Sequence, residues 1–140
     1  MNWQEELIKM YASSPFASLL GISLELDKEG HSHLYLPFKQ HLTHEKGGVH
    51  GGVFASLLDD AGWFASAVSH EGVWVTTSEF KVHLLAPVTG QDLHAEGWLI
   101  KRGKRMDIAE MRVYAGEKLV AAGMGTYVVL DKVAHGIEKT

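Results

Sequence analysis

The stretch Val53-Phe54-Ala55-Ser56-Leu57-Leu58-Asp59-Asp60-Ala61-Gly62-Trp63-Phe64-Ala65-Ser66-Ala67-Val68-Ser69 decides how this chain folds. Its length and composition are those of a helix. Its apolar residues, Val53, Phe54, Leu57, Leu58, Ala61, Trp63, Phe64, Ala65 and Val68, point nearly all round. A helix without a broad polar face is buried rather than laid on a surface. The rest of the chain must therefore cover it.

Downstream the sequence reads as strands. Val73 to Leu85 is long and rich in β-branched residues, and Pro87 stops it. Leu93 to Lys101 alternates, and Arg102-Gly103-Lys104 turns it back. Met106 to Tyr114 follows, then a turn at Ala115-Gly116-Glu117-Lys118, then Leu119 to Leu130. Upstream, Trp3 to Ala12 reads as a short helix ended by Ser13-Ser14-Pro15, with Phe16, Leu19 and Leu20 continuing its apolar face. Gly21 punctuates. Ile22, Leu24 and Leu26 alternate with polar neighbours, Lys28-Glu29-Gly30 turns, and His31 to Leu36 returns as the second arm of a hairpin closing on Pro37. Lys39 to Gly52 is a polar, glycine-rich loop holding His41, His44 and His50.

Strands joined by short loops pair antiparallel. One strongly curved antiparallel sheet wrapped round a long central helix satisfies the need to bury Val53 to Ser69. This is α+β architecture, and the hotdog fold is its simplest example. The expectation is one domain over residues 1–140, with 1–20 as an N-terminal helical segment. A half-wrapped helix leaves one side uncovered, so self-association into a dimer or a dimer of dimers is expected on burial grounds.

The totals agree. The chain has 140 residues, 46% of them hydrophobic, enough for one ordinary core. A net charge of −4 gives no broad basic footprint for nucleic acid. Without cysteine there is no disulfide, thiolate metal site or cysteine nucleophile. No apolar run is long enough to span a bilayer. Met1 to Met10 is amphipathic, carries Glu5 and Glu6 and does not resemble a signal peptide, so a cytoplasmic protein is expected.

Against that background Asp59 and Asp60 are anomalous. Two adjacent carboxylates in a buried helix are costly unless paired, hydrated or functional. Successive helix residues point about 100° apart, so they cannot share a face. Asp59 shares its face with Gly52, Ala55, Ser56, Gly62 and Ser66, all small, leaving room for a ligand. Asp60 falls on a bulkier stripe with Trp63, Phe64 and Ala67. Asp59 is therefore expected to line a cleft and Asp60 to be a bonded structural residue. The alternative is that both pair with cations such as Lys81 or Arg112.

A second feature is Gly47-Gly48-Val49-His50-Gly51-Gly52, which runs into the helix start. Free backbone N–H groups and the helix dipole favour negative charge there. Glycine also lets a substrate carbonyl approach the backbone, as an oxyanion hole requires. Gly51 and Gly52 are the candidates; the alternative is a tight turn and no more.

These residues carry a resemblance. His50-Gly51-Gly52 followed by Leu58-Asp59-Asp60-Ala61 resembles the signature of hotdog thioesterases of the phenylacetate-degradation (PaaI) type. Thr77 to Pro87 is similar to that family's long strand and Gly103-Lys104-Arg105 to its hairpin, so the likeness runs from about Gly21 to Leu130. It implies an acyl-CoA substrate with no cofactor. It implies that Asp59 acts as nucleophile or as base toward water, that the Gly51 N–H polarises the thioester carbonyl, and that Thr77 assists from the same chain as the carboxylate. It implies further that Gly51 and His44 come from one subunit and Asp59 and Thr77 from its partner. The family usually has Asn or Gln where this chain has His44, which can donate the same hydrogen bond and can also titrate.

His31 and His33 share a strand face, but no acidic or thiolate partner stands at recognisable ligand spacing, so no metal is expected. His50 is read as fixing its loop, with direct catalysis the alternative. Lys104 and Arg105, in the basic run Lys101 to Arg105, are either a solvated hairpin tip or a clamp for the phosphates of coenzyme A. Three function classes remain: a thioesterase, a dehydratase or hydratase of acyl thioesters pairing His44 with Asp59, and a non-catalytic acyl-CoA binding module. The last has no use for a buried Asp59. Aromatic residues Phe54, Trp63, Phe64 and Trp74 do not choose an acyl group.

Overall fold

The computed structural model describes residues 1–130. Residues 131–140 of the expected single domain lie outside the described residues. In chain order the elements are α1 (Trp3–Ala12), α2 (Pro15–Leu20), β1 (Ser23–Leu26), β2 (Ser32–Leu36), a 3-10 turn (Gln40–Leu42), α3 (Gly51–Val68), β3 (Val75–Leu84), β4 (Leu93–Lys101), β5 (Met106–Ala115) and β6 (Lys118–Val129). The six strands form one antiparallel sheet in the order β1-β2-β4-β5-β6-β3. The sheet is not closed: β1 and β3 are its edges. This is the hotdog fold.

Alternation explains how the sheet takes up α3. On β5 the inward positions Asp107, Ala109, Met111, Val113 and Ala115 are buried, and their neighbours are partly exposed. On β6 the inward set is Ala121, Gly123, Gly125 and Tyr127, small residues followed by one large one. The helix packs Phe54, Leu57, Leu58, Ala61 and Phe64 into the same core. Gly62 is required by this close approach, because a Cβ there would collide with the Tyr127 hydroxyl. The expected stripe of small residues is therefore partly a packing surface.

Three elements depart from the sequence reading by more than a single residue. Helix α3 begins at Gly51, two residues before Val53, because His50 caps it with its own ring nitrogen. β3 begins at Val75 and ends at Leu84, inside the expected Val73 to Leu85, after a turn in which Gly72 has φ of +73°. Phe16 and Leu19 do not continue the apolar face of α1; they are 52% and 66% exposed, while Ala17 between them is buried. Pro15 starts a new helix whose direction turns Ala17 inward.

Helix α1 covers part of the side of α3 that the sheet leaves open. Its Asn2–Glu5 capping box fixes the first turn. Leu7 and Tyr11 are buried. The Tyr11 ring meets Phe64 edge-on at 4.8 Å, and the Trp3 indole N–H donates to the Ala67 carbonyl at 2.8 Å.

Candidate active site

Asp59 stands in the middle of α3, half-buried. Thr77 donates its hydroxyl to Asp59 Oδ1 at 2.8 Å. That contact depends on an irregularity in β3. Thr77 pairs with Tyr127 and Glu79 with Thr126, so Ser78 is an extra residue and the strand bulges. Before the bulge the inward residues are Val75 and Thr77; after it they are Phe80 and Val82. A bulge re-aims side chains in this way. Tyr127 donates its hydroxyl to the Asp59 backbone carbonyl at 3.2 Å. Among the described residues no cation pairs with Asp59 or Asp60. Lys81 pairs with neither, and Arg112 is engaged by Glu110 at 3.3 Å and lies over the Trp98 ring. Burial therefore raises the Asp59 carboxyl above its usual range, and the Thr77 and Tyr127 hydroxyls only partly offset this.

Asp60 has a different setting. Tyr11 of α1 donates its hydroxyl to Asp60 Oδ2 at 2.7 Å. Burial pushes the Asp60 carboxyl up to about 6; the Tyr11 hydrogen bond opposes the shift, and the charge of Asp59 adds to it. Asp60 is thus the bonded residue that the bulkier helix stripe predicts.

The loop before α3 holds the other candidates. Its ends are clamped by the Thr43–Val49 bridge and by the His44 N–H donating to the Gly48 carbonyl at 2.8 Å. The Lys46 N–H donates to His44 Nδ1 at 3.1 Å. A neutral His44 ring then carries its proton on Nε2, which is free to donate. Gly48 makes room for that ring: a Cβ at Gly48 would lie 2.7 Å from His44 Nε2. His50 Nδ1 accepts from the Gly52 N–H at 2.8 Å, and the Val53 N–H donates to the His50 carbonyl. The Gly52 amide is thereby used in the cap, contrary to the expectation that it meets substrate. Among the described residues nothing accepts the Gly51 N–H. A cleft of about 330 Å³ brings His44, Gly48, Gly51 and Phe54 together with Leu84 and Pro87.

The candidates thus form two pairs. His44 and Gly51 share a cleft; Asp59 and Thr77 touch each other but do not line it. Gly51 and Asp59 are eight residues apart on one helix, about 12 Å along its axis. Lys104 and Arg105 lie in the β4–β5 hairpin. Buried Asp107 anchors that hairpin to the other end of α3, accepting from Gly103 N at 2.8 Å, Ser66 Oγ at 2.6 Å and His70 Nε2 at 2.7 Å. Within one chain the basic hairpin is far from Gly51. Tyr11, Gly48 and Tyr127 touch Asp60, His44 and Asp59 respectively, contacts that the sequence reading missed. A buried tyrosine needs a partner for its hydroxyl, but only the tertiary fold says which.

The antiparallel sheet curved round α3 is the hotdog architecture, with a half-buried carboxylate in mid-helix. The profile of the thioesterase superfamily matches residues 46–122, more than half of the chain. The chain belongs to that superfamily. A protein of Saccharolobus solfataricus that carries a provisional esterase name is 30% identical over 125 residues, covering 89% of this chain and 83% of that protein. A thioesterase family protein from Silicibacter pomeroyi superposes with a TM-score of 0.86 at 27% identity, over 92% of this chain and 98% of that one. The PaaI protein of the E. coli phenylacetic acid degradation operon shares the fold, with a TM-score of 0.80 at 23% identity over 93% and 97% of the two chains. Among the described residues no helix is long and apolar enough to cross a membrane.

Proposed function

We propose that this thioester hydrolase acts on acyl-CoA, with Asp59 as the attacking carboxylate or as the base toward water. The observation that carries this reading is the half-buried Asp59 carboxylate, which the Thr77 hydroxyl holds in place and which no cation among the described residues neutralises. Asp60 has no cation partner among the described residues either, but it is tied to the Tyr11 phenol, whereas Asp59 lies on the stripe of small helix residues and is bonded through Oδ1 by Thr77.

The chemistry follows from the two pairs of groups. The Gly51 N–H, at the positive end of α3, and His44 Nε2–H donate to the thioester oxygen. Charge that builds on that oxygen during attack is stabilised where it develops. Asp59 either adds to the carbonyl carbon or takes a proton from the water that adds. The C–S bond then breaks and coenzyme A leaves as the thiolate; on the nucleophilic route a mixed anhydride of Asp59 remains, which water hydrolyses to the free acid and the regenerated carboxylate. Thr77 holds the carboxylate in aim throughout. One thioester cannot bridge Gly51 and Asp59 of a single helix, so the site forms between two subunits whose α3 helices run antiparallel. Gly51 and His44 then belong to one chain and Asp59 and Thr77 to the other. Lys104 and Arg105 grip the coenzyme A phosphates.

The test is release of free thiol from a panel of CoA esters, aromatic and aliphatic, by wild type and Asp59→Asn. Hydrolysis by wild type that falls about a hundredfold in the variant supports the reading. Equal rates in both would overturn it.

A further inference from the structure

A second group of ionisable side chains lies on the other face of the sheet, away from α3. Strand register assembles it. His33 of β2 pairs directly with Glu96 of β4 and with Glu25 of β1 on its other side. Tyr35 pairs with His94, two residues before Glu96. One face of β2 and β4 therefore presents His33, His94 and Glu96 together, all half-buried. Their nearest ligand atoms lie within 4.8 Å of one another.

We propose that His33, His94 and Glu96 bind a divalent transition-metal ion of the zinc or cobalt kind. Two donors held at about 2.0–2.1 Å around a tetrahedral ion stand roughly 3.3–3.4 Å apart. His33 Nδ1 and His94 Nε2 are 3.2 Å apart. The ring planes are within 15° of each other and the centroids 5.4 Å apart; the two nitrogens share a hydrogen bond, which an ion would replace once the His94 ring proton moves to Nδ1. A modest tilt of each ring turns both lone pairs on to one ion, and histidine χ2 is a soft torsion. Glu96 Oε1 is 3.9 Å from His94 Nε2 and closes on the ion by a small side-chain rotation.

The surroundings are those of a metal ligand set. Asp27 Oδ2 is 3.0 Å from His33 Nε2. A carboxylate there fixes the ring proton on Nε2 and presents the Nδ1 lone pair to the gap. This pairing orients metal-bound histidines and raises their basicity. The Tyr35 ring stacks on His94 at 4.8 Å and 5°, covering one face of it. Two imidazoles and a carboxylate select zinc, cobalt, nickel or copper over magnesium or calcium, which want oxygen donors. The bound ion pins β2 to β4 and, through Asp27, the β1–β2 turn. Sequence spacing cannot show this set, because His33 and His94 are 61 positions apart and only the register joins them.

Tag-free protein is stripped with a chelator and titrated with Co²⁺, followed by visible absorption and by calorimetry. The expected result is one ion per chain with the ligand-field bands of a four- or five-coordinate centre, and Zn²⁺ displacing it. His94→Phe keeps the Tyr35 stack and removes the donor, so it folds and loses the bands. His33→Gln loses them too, and Glu96→Gln weakens binding about tenfold or more. Zn²⁺ raises the thermal midpoint of wild type and leaves that of His94→Phe unmoved. Absence of Co²⁺ binding overturns the proposal, and so does binding of unchanged strength and spectrum in His94→Phe and His33→Gln.

Discussion

Tyr11 donates its hydroxyl to Asp60 at 2.7 Å, tying the N-terminal helix to the residue next to Asp59. Two neighbouring carboxylates thus sit in opposite settings. Asp60 is closed off by an aromatic phenol from α1, and Asp59 is held by an aliphatic hydroxyl from the edge strand. Asp59→Asn should therefore lower turnover by about a hundredfold or more, as loss of a positioned base or nucleophile does. Asp60→Asn should mainly change stability, because Asn can still accept from Tyr11. Steady-state rates and thermal midpoints of both variants check this. Lost activity in Asp60→Asn with activity kept in Asp59→Asn would reverse the assignment.

The same contrast gives a pH dependence of stability. Burial holds the Asp60 carboxyl at about 6 in the folded chain, against 3.8 as the ordinary value. Between these values the folded state binds more protons than the unfolded one. Stability therefore rises as pH falls from above 6 toward 4, and this gain is absent at neutral pH and above. Asp60→Asn should flatten that part of the curve. Denaturant unfolding of wild type and variant across this window measures the difference; parallel curves would mean that Asp60 titrates normally.

His44 shares the cleft with Gly51, and its ring is oriented by the Lys46 N–H on Nδ1. Nε2–H is then the donor, as an amide N–H would be. His44→Asn should keep much of the activity and His44→Ala should lose it. If Asn is as damaging as Ala, the ring works as a general acid or base and not as a hydrogen-bond donor alone.

Lys104 and Arg105 crown a hairpin that Asp107 fastens to the C-terminal end of α3. Changing both to alanine should raise the Michaelis constant for CoA esters and hardly affect a pantetheine ester, which lacks the nucleotide phosphates. Equal effects on the two substrates would place the nucleotide elsewhere.

Most of the architecture was legible because one pattern forced it: a helix apolar on nearly every side needs a sheet around it. Strands β4, β5 and β6 were legible from alternation and turn residues, within a residue at each end. The 100° helix step separated Asp59 from Asp60, and the Tyr11–Asp60 bond fits the structural half of that expectation. What stayed hidden depends on partners far apart in the chain. Helix α3 starts early because the His50 ring replaces a typical capping side chain, and glycine argues against helix. Tyr11 and Tyr127 read as ordinary core aromatics until the fold gives each hydroxyl its acceptor. The bulge at Ser78 has no signal in Thr76-Thr77-Ser78-Glu79, yet it turns Thr77 toward Asp59.

The separation of the two pairs of candidate groups makes a last prediction. Gly51 and His44 share one cleft, and Asp59 and Thr77 lie elsewhere on the same chain, with about 12 Å of helix between Gly51 and Asp59. A twofold axis that lays two α3 helices antiparallel brings Gly51 of one chain to Asp59 of the other. Each dimer then has two sites, each built from both chains. Asp59→Ala and His44→Ala, each inactive alone, are co-folded in equal amounts. Random pairing makes about half of the dimers mixed, and each mixed dimer has one intact site and one doubly damaged site. Activity should therefore recover to about a quarter of wild type. If each site lay within one chain, every site would carry a lesion and nothing would recover. Native mass spectrometry confirms that mixed dimers are present, and their inactivity would exclude the shared site.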